Sequence, residues 1–474
     1  MANPVESAAS DRWPPQIKYI IGNEACERFS YYGMRSILIG YISGKVLEGG
    51  LGRSANAATE IVHTFVFVNY FMPLLGAWVS DKLIGRYHTI LWVSLFYCLG
   101  HGVLACSDLA GTVDGKSWLL YAGLTLIAFG SGGIKPCVSA FMGDQFKPEQ
   151  SHLLQKAYGA FYWCINFGSF FAFILIPWVK NHAGYSWAFA VPGVLMALAT
   201  IIFALGTKKY TRVPPSSQTG NAGFFQVFFV TLSRWGGKGR FWDAAKPRFS
   251  DREIDAAKSV LPILFVFALV PVFWSLFDQT NTTWVLQGEK MVPINILGLT
   301  IGADEMQSIN PAIVMLLVPI LTLLVYPRLG RFASPLRRMA TGMFMAGAAY
   351  LVVAALQRHI EAGEHLSILW QGAPYFVLTL AEVLVSTTGL EFAFREAAPE
   401  MKSSIMSFWL LTTAVGDILV VFITKIFAHG TDDADAVSSG RFTTYALMVF
   451  AVAVLFSLIS LTYQYRDKAS AQGK

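Results

Sequence analysis

Apolar runs long enough to cross a bilayer, about 20 residues each, recur twelve times along this chain. They lie near 17–44, 59–80, 87–107, 117–140, 153–179 and 186–206, then near 259–287, 308–326, 335–357, 370–394, 402–428 and 440–464. The pattern predicts six spanning helices, a polar linker and six more. The expected organisation is a first bundle over 1–206, a linker over 207–258 and a second bundle over 259–474. The linker opens on Lys208, Lys209, Pro214 and Pro215 and holds one apolar patch, 224–230. That patch is too short to span and is expected to lie as an amphipathic helix on the membrane surface. Ahead of the first span, Trp13-Pro14-Pro15 closes a short polar segment without a signal-peptide pattern, so that span is expected to stay in the protein.

The first span breaks the apolar pattern. Glu24, Glu27, Arg28 and Arg35 sit inside it, although a charge at the bilayer centre costs on the order of 2.5–3.5 kcal/mol. At about 100° per residue, these four and Tyr31 fall within roughly 100° of arc. Such a helix must turn a polar seam towards protein or a wet cavity. Carboxylates that take protons, beside cations that hold an anion, suggest a proton-driven transporter.

Composition agrees. With 54% apolar and 14% charged residues and a mean hydropathy of +0.49, the chain is far from the roughly 25% charged residues of soluble domains. The net charge of +6 is explained by its distribution, without nucleic acid as a partner. With the N-terminus inside, 25 of the 36 Lys and Arg fall in cytoplasmic segments and 8 in the opposite loops, while Arg28, Arg35 and Lys135 are intramembrane. That bias sets both termini and the linker in the cytoplasm, for a multi-pass protein of the cell (inner) membrane. The five cysteines all fall in apolar segments without a CxxC pair, so neither a disulfide framework nor a metal site is expected. Six plus six around a basic loop resembles the plan of the major facilitator superfamily, whose site lies between the halves. Residues 76–86, GAWVSDKLIGR, resemble that superfamily's loop between helices 2 and 3 and single out Asp81.

Other polar groups lie within spans. Lys135 follows Gly130-Ser131-Gly132-Gly133, small residues that let a neighbouring helix come close. It either snorkels as a structural lysine or meets a carboxylate or cavity. Asn166 is either interhelical glue or a site residue. Asp278, Glu382 and Asn310 lie in the second half, as does Asp417, read as a packing residue because no sequence neighbour suggests a partner. His63 leaves two readings open, a structural histidine or a proton carrier approached by Asp278. Arg28, Arg35 and Lys135 stand against Glu24, Glu27, Asp278 and Glu382, leaving the core one negative charge from balance. Taking up one proton is expected to balance it and ease exchange between outward-open and inward-open states.

Three stretches carry a specific resemblance. Residues 24–33, EACERFSYYG, resemble the ExxERFxYYG signature of the proton-dependent oligopeptide transporter (POT) family. Residues 129–146, FGSGGIKPCVSAFMGDQF, resemble that family's helix 4 signature, and residues 161–169, FYWCINFGS, its helix 5 signature. The resemblance implies an all-α membrane protein of the major facilitator fold, twelve transmembrane helices in two bundles. The linker has no room for the two extra helices of many bacterial members. It also implies proton-coupled uptake of di- and tripeptides by alternating access, driven by the pH gradient and the membrane potential. Peptide-like drugs are further expected substrates, the proton is the coupling ion, no cofactor is needed, and the monomer is functional.

Roles follow position by position as what the resemblance implies. Glu24, Glu27 and Arg28 resemble the proton-coupling triplet, with Lys135 as their ion-pair partner and a contact for the peptide carboxylate. Arg35 is similar to the carboxylate-binding arginine, Asn166 to a backbone contact, and Glu382 with Asn310 to the pair holding the peptide amino terminus. Tyr31, Tyr32, Tyr70, Trp274, Ser386 and Trp409 resemble the pocket lining. Arg35, Asp278, Lys135, Glu382 and Asp81 are the expected gating residues. Asp278, where many members have glutamate, and His63 resemble the animal peptide transporters, although the large extracellular insertion between helices 9 and 10 is missing. Whether Glu24 and Glu27 or His63 and Asp278 take the proton first stays open. Alternatives are a carrier of another small anionic or zwitterionic solute, and a peptide sensor that does not transport. An enzyme is not expected, since no HExxH or GxSxG sits on a suitable helix.

Overall fold

The computed structural model describes residues 12–215, 223–237, 239–329, 334–398, 401–428, 437–463 and 465. Six helices precede the linker: α1 (Ile17–Ser43), α2 (Ala55–Val79), α3 (Gly85–Ala105), α4 (Val113–Gly143), α5 (Ser151–Ala183) and α6 (Tyr185–Leu205). The linker forms α7 (Phe224–Arg234) and α8 (Asp251–Lys258). Beyond it come α9 (Val260–Phe267), α10 (Val270–Phe277), α11 (Thr283–Gly288), α12 (Ile309–Ile320), α13 (Tyr326–Leu329), α14 (Pro335–Glu361), α15 (Gly372–Glu396), α16 (Lys402–Ala428) and α17 (Ser439–Thr462).

Among the described residues, nine helical runs are long and apolar enough to cross a membrane, ten if the bent pair 251–267 and 270–281 is one crossing. One of them, Ala55–Ala105, has 51 residues and would be about 76 Å long if straight, over twice a bilayer core. It breaks instead at Gly85, whose φ of 79° lies where a side chain would be strained. Both arms, α2 and α3, then pack on α4, so the run is two crossings. α1 has the length but carries Lys18, Glu24, Glu27, Arg28 and Arg35. With these, twelve crossings result, close to the boundaries expected from the apolar runs. In the linker, α7 does not span. It buries Phe224, Val227 and Thr231, sets the Phe224 ring edge-on and the Phe225 ring tilted against Phe408, and leaves Phe225, Phe229 and Leu232 exposed.

Close packing sets the bundles. α1 lies against α5 and α6, and α14 against α15 and α17. A Cβ on Gly132 would meet the Met72 Cβ at 2.1 Å, so only glycine permits the α2–α4 crossing there. The two bundles meet along α2 with α16 and along α5 with α12. Several polar bridges join them near one end, where α1 finishes and α2 begins, opposite the end from which α1 enters; that first end is called distal below. They include Lys180–Asp304, Gln307 Nε2 to the Ser36 carbonyl at 3.1 Å, and Arg441 to Asn56 Oδ1 at 2.9 Å.

Two features depart from a plain helix count. The seventh crossing is broken, with a 44° bend after Phe267, where Pro271 sits in the first turn of α10 and cannot donate to the preceding turn. It loosens again at a 3₁₀ turn, Asp278–Asn281, followed by Thr282 at φ −133°, ψ −88°. There Thr280 donates to the Phe277 carbonyl at 2.8 Å, the side-chain competition with helix bonds that hydroxyl residues offer. Sequence reading also missed a hairpin at the distal end, β1 (Ile294–Ile296) paired antiparallel with β2 (Leu299–Ile301). Its two-residue turn, Leu297 and Gly298, has both φ positive, at 53° and 85°, the geometry of a type I′ turn.

Candidate functional site

The charged stripe of α1 is buried: Glu24, Glu27, Arg28, Tyr31 and Arg35 are each at most 7% exposed. Arg28 Nε lies 2.8 Å from Oε1 of Glu24, one turn away, and 2.7 Å from Oε2 of the adjacent Glu27. The first contact is aligned as a hydrogen bond, whereas neither Glu27 oxygen has a hydrogen-bond partner. Two carboxylates thus share one guanidinium on a single helix, with spare acceptor capacity on Glu27.

Two turns on, polar contacts cross between the bundles. Arg35 Nη2 donates to Asp278 Oδ1 at 2.6 Å, both side chains 4% exposed. Beside this pair, His63 Nδ1 lies 2.7 Å from Asp417 Oδ1, with both side chains fully buried. The other ring nitrogen, Nε2, lies 3.0 Å from the Thr282 hydroxyl. α2 supplies His63, α16 supplies Asp417, and the loosened seventh crossing supplies both Asp278 and Thr282.

Between the bundles lies a cavity of about 220 Å³ whose walls include Tyr32, Arg35, Tyr70 and Asn166 from the first half and Trp274, Asp278, Asn310, Glu382 and Ser386 from the second. Glu382 Oε2 accepts from Asn310 Nδ2 at 2.7 Å, and Asn310 also donates to Thr379 Oγ1 at 3.2 Å. The cavity therefore has a guanidinium on one bundle and a carboxylate on the other, with aromatic and amide groups between. Such an arrangement can hold an anion at one end and a cation at the other. The same walls hold Tyr162, Asn281, Gln307 and Tyr375, which sequence reading did not single out. For Tyr162 a signal was present: it lies four residues before Asn166, hence on the same helical face, and Asn166 Nδ2 donates to its carbonyl at 3.0 Å.

Several expected partnerships are replaced by others. Asp278 is taken by Arg35, so His63 pairs with Asp417, and the packing reading of Asp417 is corrected: its carboxylate is a polar partner 354 positions along the chain from His63. Lys135 forms no ion pair with the triplet or with Glu382. Its Nζ has no hydrogen-bond partner and lies over the rings of Tyr31 and Tyr70, at 4.4 and 4.2 Å, within cation–π range. The α1 triplet closes on itself, which removes the need for Lys135. Tyr31 stands behind the cavity, fully buried and accepting from Asn69 Nδ2 at 2.9 Å. Trp409 likewise backs the wall, 6.3 Å from Trp274, whose indole donates to Thr412 Oγ1 at 3.1 Å. Asp81 is far from this site, in the π-helical turn Ser80–Ile84. It approaches Arg86 at 3.5 Å, while Asp144 holds the same guanidinium at 2.7 Å.

Comparison with known proteins falls on one group. A family model described as the POT family matches residues 87–442. The chain is 35% identical over 378 residues to solute carrier family 15 member 1 of Oryctolagus cuniculus, covering 74% of this chain and 53% of that protein. It is 36% identical over 367 residues to peptide transporter family 1 of Drosophila melanogaster, covering 74% and 48%. The chain thus spans about half the length of the curated relatives it matches. A crystal structure described as an auto-inhibited POT family peptide transporter superposes with a TM-score of 0.85 at 38% identity, covering 95% of this chain and 98% of the other.

Proposed function

This chain belongs to the POT family, and on that premise we propose that it is a proton-coupled symporter of di- and tripeptides working by alternating access. The observation that carries the proposal is the cavity between the bundles, with Arg35 on one side and Glu382, held by Asn310, on the other. Every short peptide has one carboxylate and one ammonium whatever its side chains. Arg35 would hold the first and Glu382 the second, leaving Tyr32, Tyr70, Trp274 and Ser386 to meet varied side chains and Asn166 the peptide backbone. Peptide-like drugs fit the same terms. The Lys135 ammonium, held over two tyrosine rings, is a reserve contact for the carboxylate when the cavity is filled.

The proton enters as coupling ion, with no other cofactor. Glu24, Glu27 and Arg28 supply carboxylates in excess of cations inside the first bundle, and His63 supplies a titratable ring between the bundles. In this reading the distal end faces outward, both termini lie in the cytoplasm, and the protein works as a monomer in the cell (inner) membrane. The outer gate is Arg35–Asp278; Asp81 and Arg86 lie at the inner end, and Lys135 and Glu382 would meet between the cavity and that end on closure. We read it as a carrier and not an enzyme: among the described residues, the carboxylates of Glu24, Glu27 and Asp278 are paired with arginines, and that of Glu382 is left for a ligand.

The test is purified protein in liposomes. Labelled dialanine should accumulate under an inward proton gradient and an inside-negative potential, each pH unit supplying about 1.4 kcal/mol and 100 mV about 2.3 kcal/mol per charge. Counterflow without accumulation would leave a carrier that is not proton-driven. Binding without counterflow would make the protein a sensor, and competition by nitrate-like anions but not dipeptides would make it a carrier of another solute.

A further inference from the structure

We infer that Gly389 sets how large a side chain the cavity accepts: it is the positioning residue of Trp409, and Trp409 is the stop at the end of a slot that starts at Glu382. That the slot takes peptides rests on the symport reading above; the stop itself rests on packing. Glu382, Ser386 and Gly389 follow one another on α15 at intervals of four and three residues, so they share one helical face. The first two line the cavity. The third meets a ring. A Cβ on Gly389 would lie 1.9, 2.3 and 2.7 Å from three carbons of the Trp409 indole, closer than real Cβ contacts come. The edge of the indole thus occupies the room that a side chain at this position would need.

The ring has one side on which to give. Trp409, 4% exposed, stands edge-on to Phe267 at 5.3 Å, and Phe267 in turn meets Phe392. Both phenylalanines are at most 3% exposed, so that side is close-packed core. On its other side Trp409 meets Trp274, at 6.3 Å and 75°, and Trp274 lines the cavity. Trp274 cannot step back. Its indole donates to Thr412 Oγ1 at 3.1 Å. A Cβ on Gly416 would meet the Trp274 Cβ at 2.7 Å and the Pro271 carbonyl at 2.8 Å, so α16 lies hard against α10 there. Trp409, Thr412 and Gly416 share one face of α16 by their spacing of three and four, and that face holds Trp274 in place. A group that enlarges position 389 therefore drives the Trp409 ring towards the cavity rather than into the core.

The consequence falls on one end of the ligand. With the peptide ammonium at Glu382, the side chain on the same Cα is the one that lies along Ser386 towards Gly389. Seven residues of helix separate Glu382 from Gly389, about 10.5 Å of rise, a stretch that takes an aromatic side chain. The carboxylate end lies at Arg35, on the other bundle and away from this slot. Glycine at 389 leaves the slot at its full depth, and alanine would shorten it by the displacement of the ring.

The test compares KM values for proton-driven uptake of dialanine, phenylalanyl-alanine and alanyl-phenylalanine into liposomes. In Gly389→Ala the KM of phenylalanyl-alanine relative to dialanine should rise about tenfold or more, what one methyl group's worth of room decides in an apolar pocket. The relative KM of alanyl-phenylalanine should stay as in wild type. Adding Trp409→Phe, which shortens the ring abutting position 389, should return the relative KM of phenylalanyl-alanine to its wild-type value. A loss that reflects poorer folding alone would fall on all three peptides, and the smaller ring would not recover it. If Gly389→Ala does not yield folded protein, Trp409→Phe by itself decides: a lower relative KM for phenylalanyl-alanine supports the stop, and an unchanged one overturns it. Relative KM values equal to wild type in Gly389→Ala, or a loss confined to alanyl-phenylalanine, overturn the inference while dialanine uptake by the wild type keeps the symport reading standing. A wild type that accumulates none of the three peptides sinks that reading, and the stop with it.

Discussion

Two clusters of buried charge lie within three helical turns of each other, and they are wired in opposite ways. Glu24, Glu27 and Arg28 stand on one helix, in contact at 2.7 and 2.8 Å. Arg35–Asp278 and His63–Asp417 have their partners on different bundles. Alternation between states by rigid-body rocking of the bundles leaves the first cluster intact in every state. Under the proposed alternating access, the second must be made and broken in each cycle. A cluster of the first kind can change its protonation without moving anything, and one of the second kind can move something only by changing a contact. Coupling therefore needs both: a store of charge that persists, and a bridge whose strength responds.

The largest effect should come from the persistent cluster. Arg28→Ala leaves two carboxylates, 3% and 0% exposed, without their cation, and removing one partner of a buried pair costs about 3–5 kcal/mol. The melting temperature in detergent should drop, and Glu27→Gln in the same chain should recover part of it by removing a charge. Leu47, between α1 and α2, and Leu297, at the hairpin turn, are each 99% exposed and report on opposite bundles. Spin labels there, on unnatural amino acids, read the fraction closed at the distal end, which should stay as in wild type in any Arg28→Ala protein that folds. Should Arg28→Ala melt with the wild type, the cluster is not held by charge compensation, and the contrast with the split pairs loses its first half.

The split pairs predict the reverse signature. Arg35→Ala, Asp278→Ala and their double variant form a cycle whose coupling, roughly 0.5–3 kcal/mol for contacting residues, should be read in the closed fraction at the distal end rather than in the melting temperature. Each single variant should populate the open state more than wild type, and the double variant should be no worse than either. A coupling that shows up in thermal stability but not in the closed fraction would place Arg35–Asp278 with the persistent cluster.

The sequence carried the fold further than the site, for a physical reason. Spans are local: an apolar run of sufficient length must cross, and the boundaries of α1, α14 and α16 fall within four residues of those read from hydropathy. The stripe on α1 was legible because its charges share one helix and follow its 3.6-residue period. Pairings across bundles have no such period. His63 and Asp417 are 354 positions apart, and which carboxylate reaches the ring depends on how the seventh crossing unwinds at Asp278–Asn281. Asp278 was expected to approach His63 or to bridge Arg35 as an outer gate; where the seventh crossing unwinds, Arg35 holds it and His63 meets Asp417 instead. Lys135 was misjudged for the same reason, since two tyrosine rings from α1 and α2 take the place expected for a carboxylate.

Glu382 belongs to neither wiring. Its protein partner, Asn310, is a neutral donor at 2.7 Å, so its charge is left for a ligand. In Glu382→Gln the amide still meets Asn310 but the peptide ammonium loses its ionic partner, worth about 1.5–3 kcal/mol for a bond to a charged group. The dipeptide KM should rise about tenfold or more, with the closed fraction in the absence of peptide unchanged. An N-acetylated dipeptide, which has no ammonium, should discriminate little between variant and wild type. Equal loss for both ligands would mean that Glu382 shapes the cavity instead of recognising the amine.

The smallest effect should come from the opposite end, and it tests whether the two ends are held unequally. Arg86 is gripped by Asp144 through contacts of 2.8 and 2.7 Å, whereas Asp81 stands 3.5 Å off with a side chain 48% exposed. A half-exposed pair of that kind contributes about 0.2–1 kcal/mol and weakens as salt rises. Asp81→Asn should therefore lower driven uptake only slightly at low ionic strength and by less at high ionic strength, while Asp144→Asn should lower it more at both. Arg35–Asp278 and His63–Asp417, with side chains at most 4% exposed, should show no such salt dependence. An Asp81→Asn protein as impaired as Arg35→Ala, and equally so in high salt, would mean that the loop's carboxylate engages a partner in the other state that is stronger than the one it has here. The ends would then be equal latches, closing in turn.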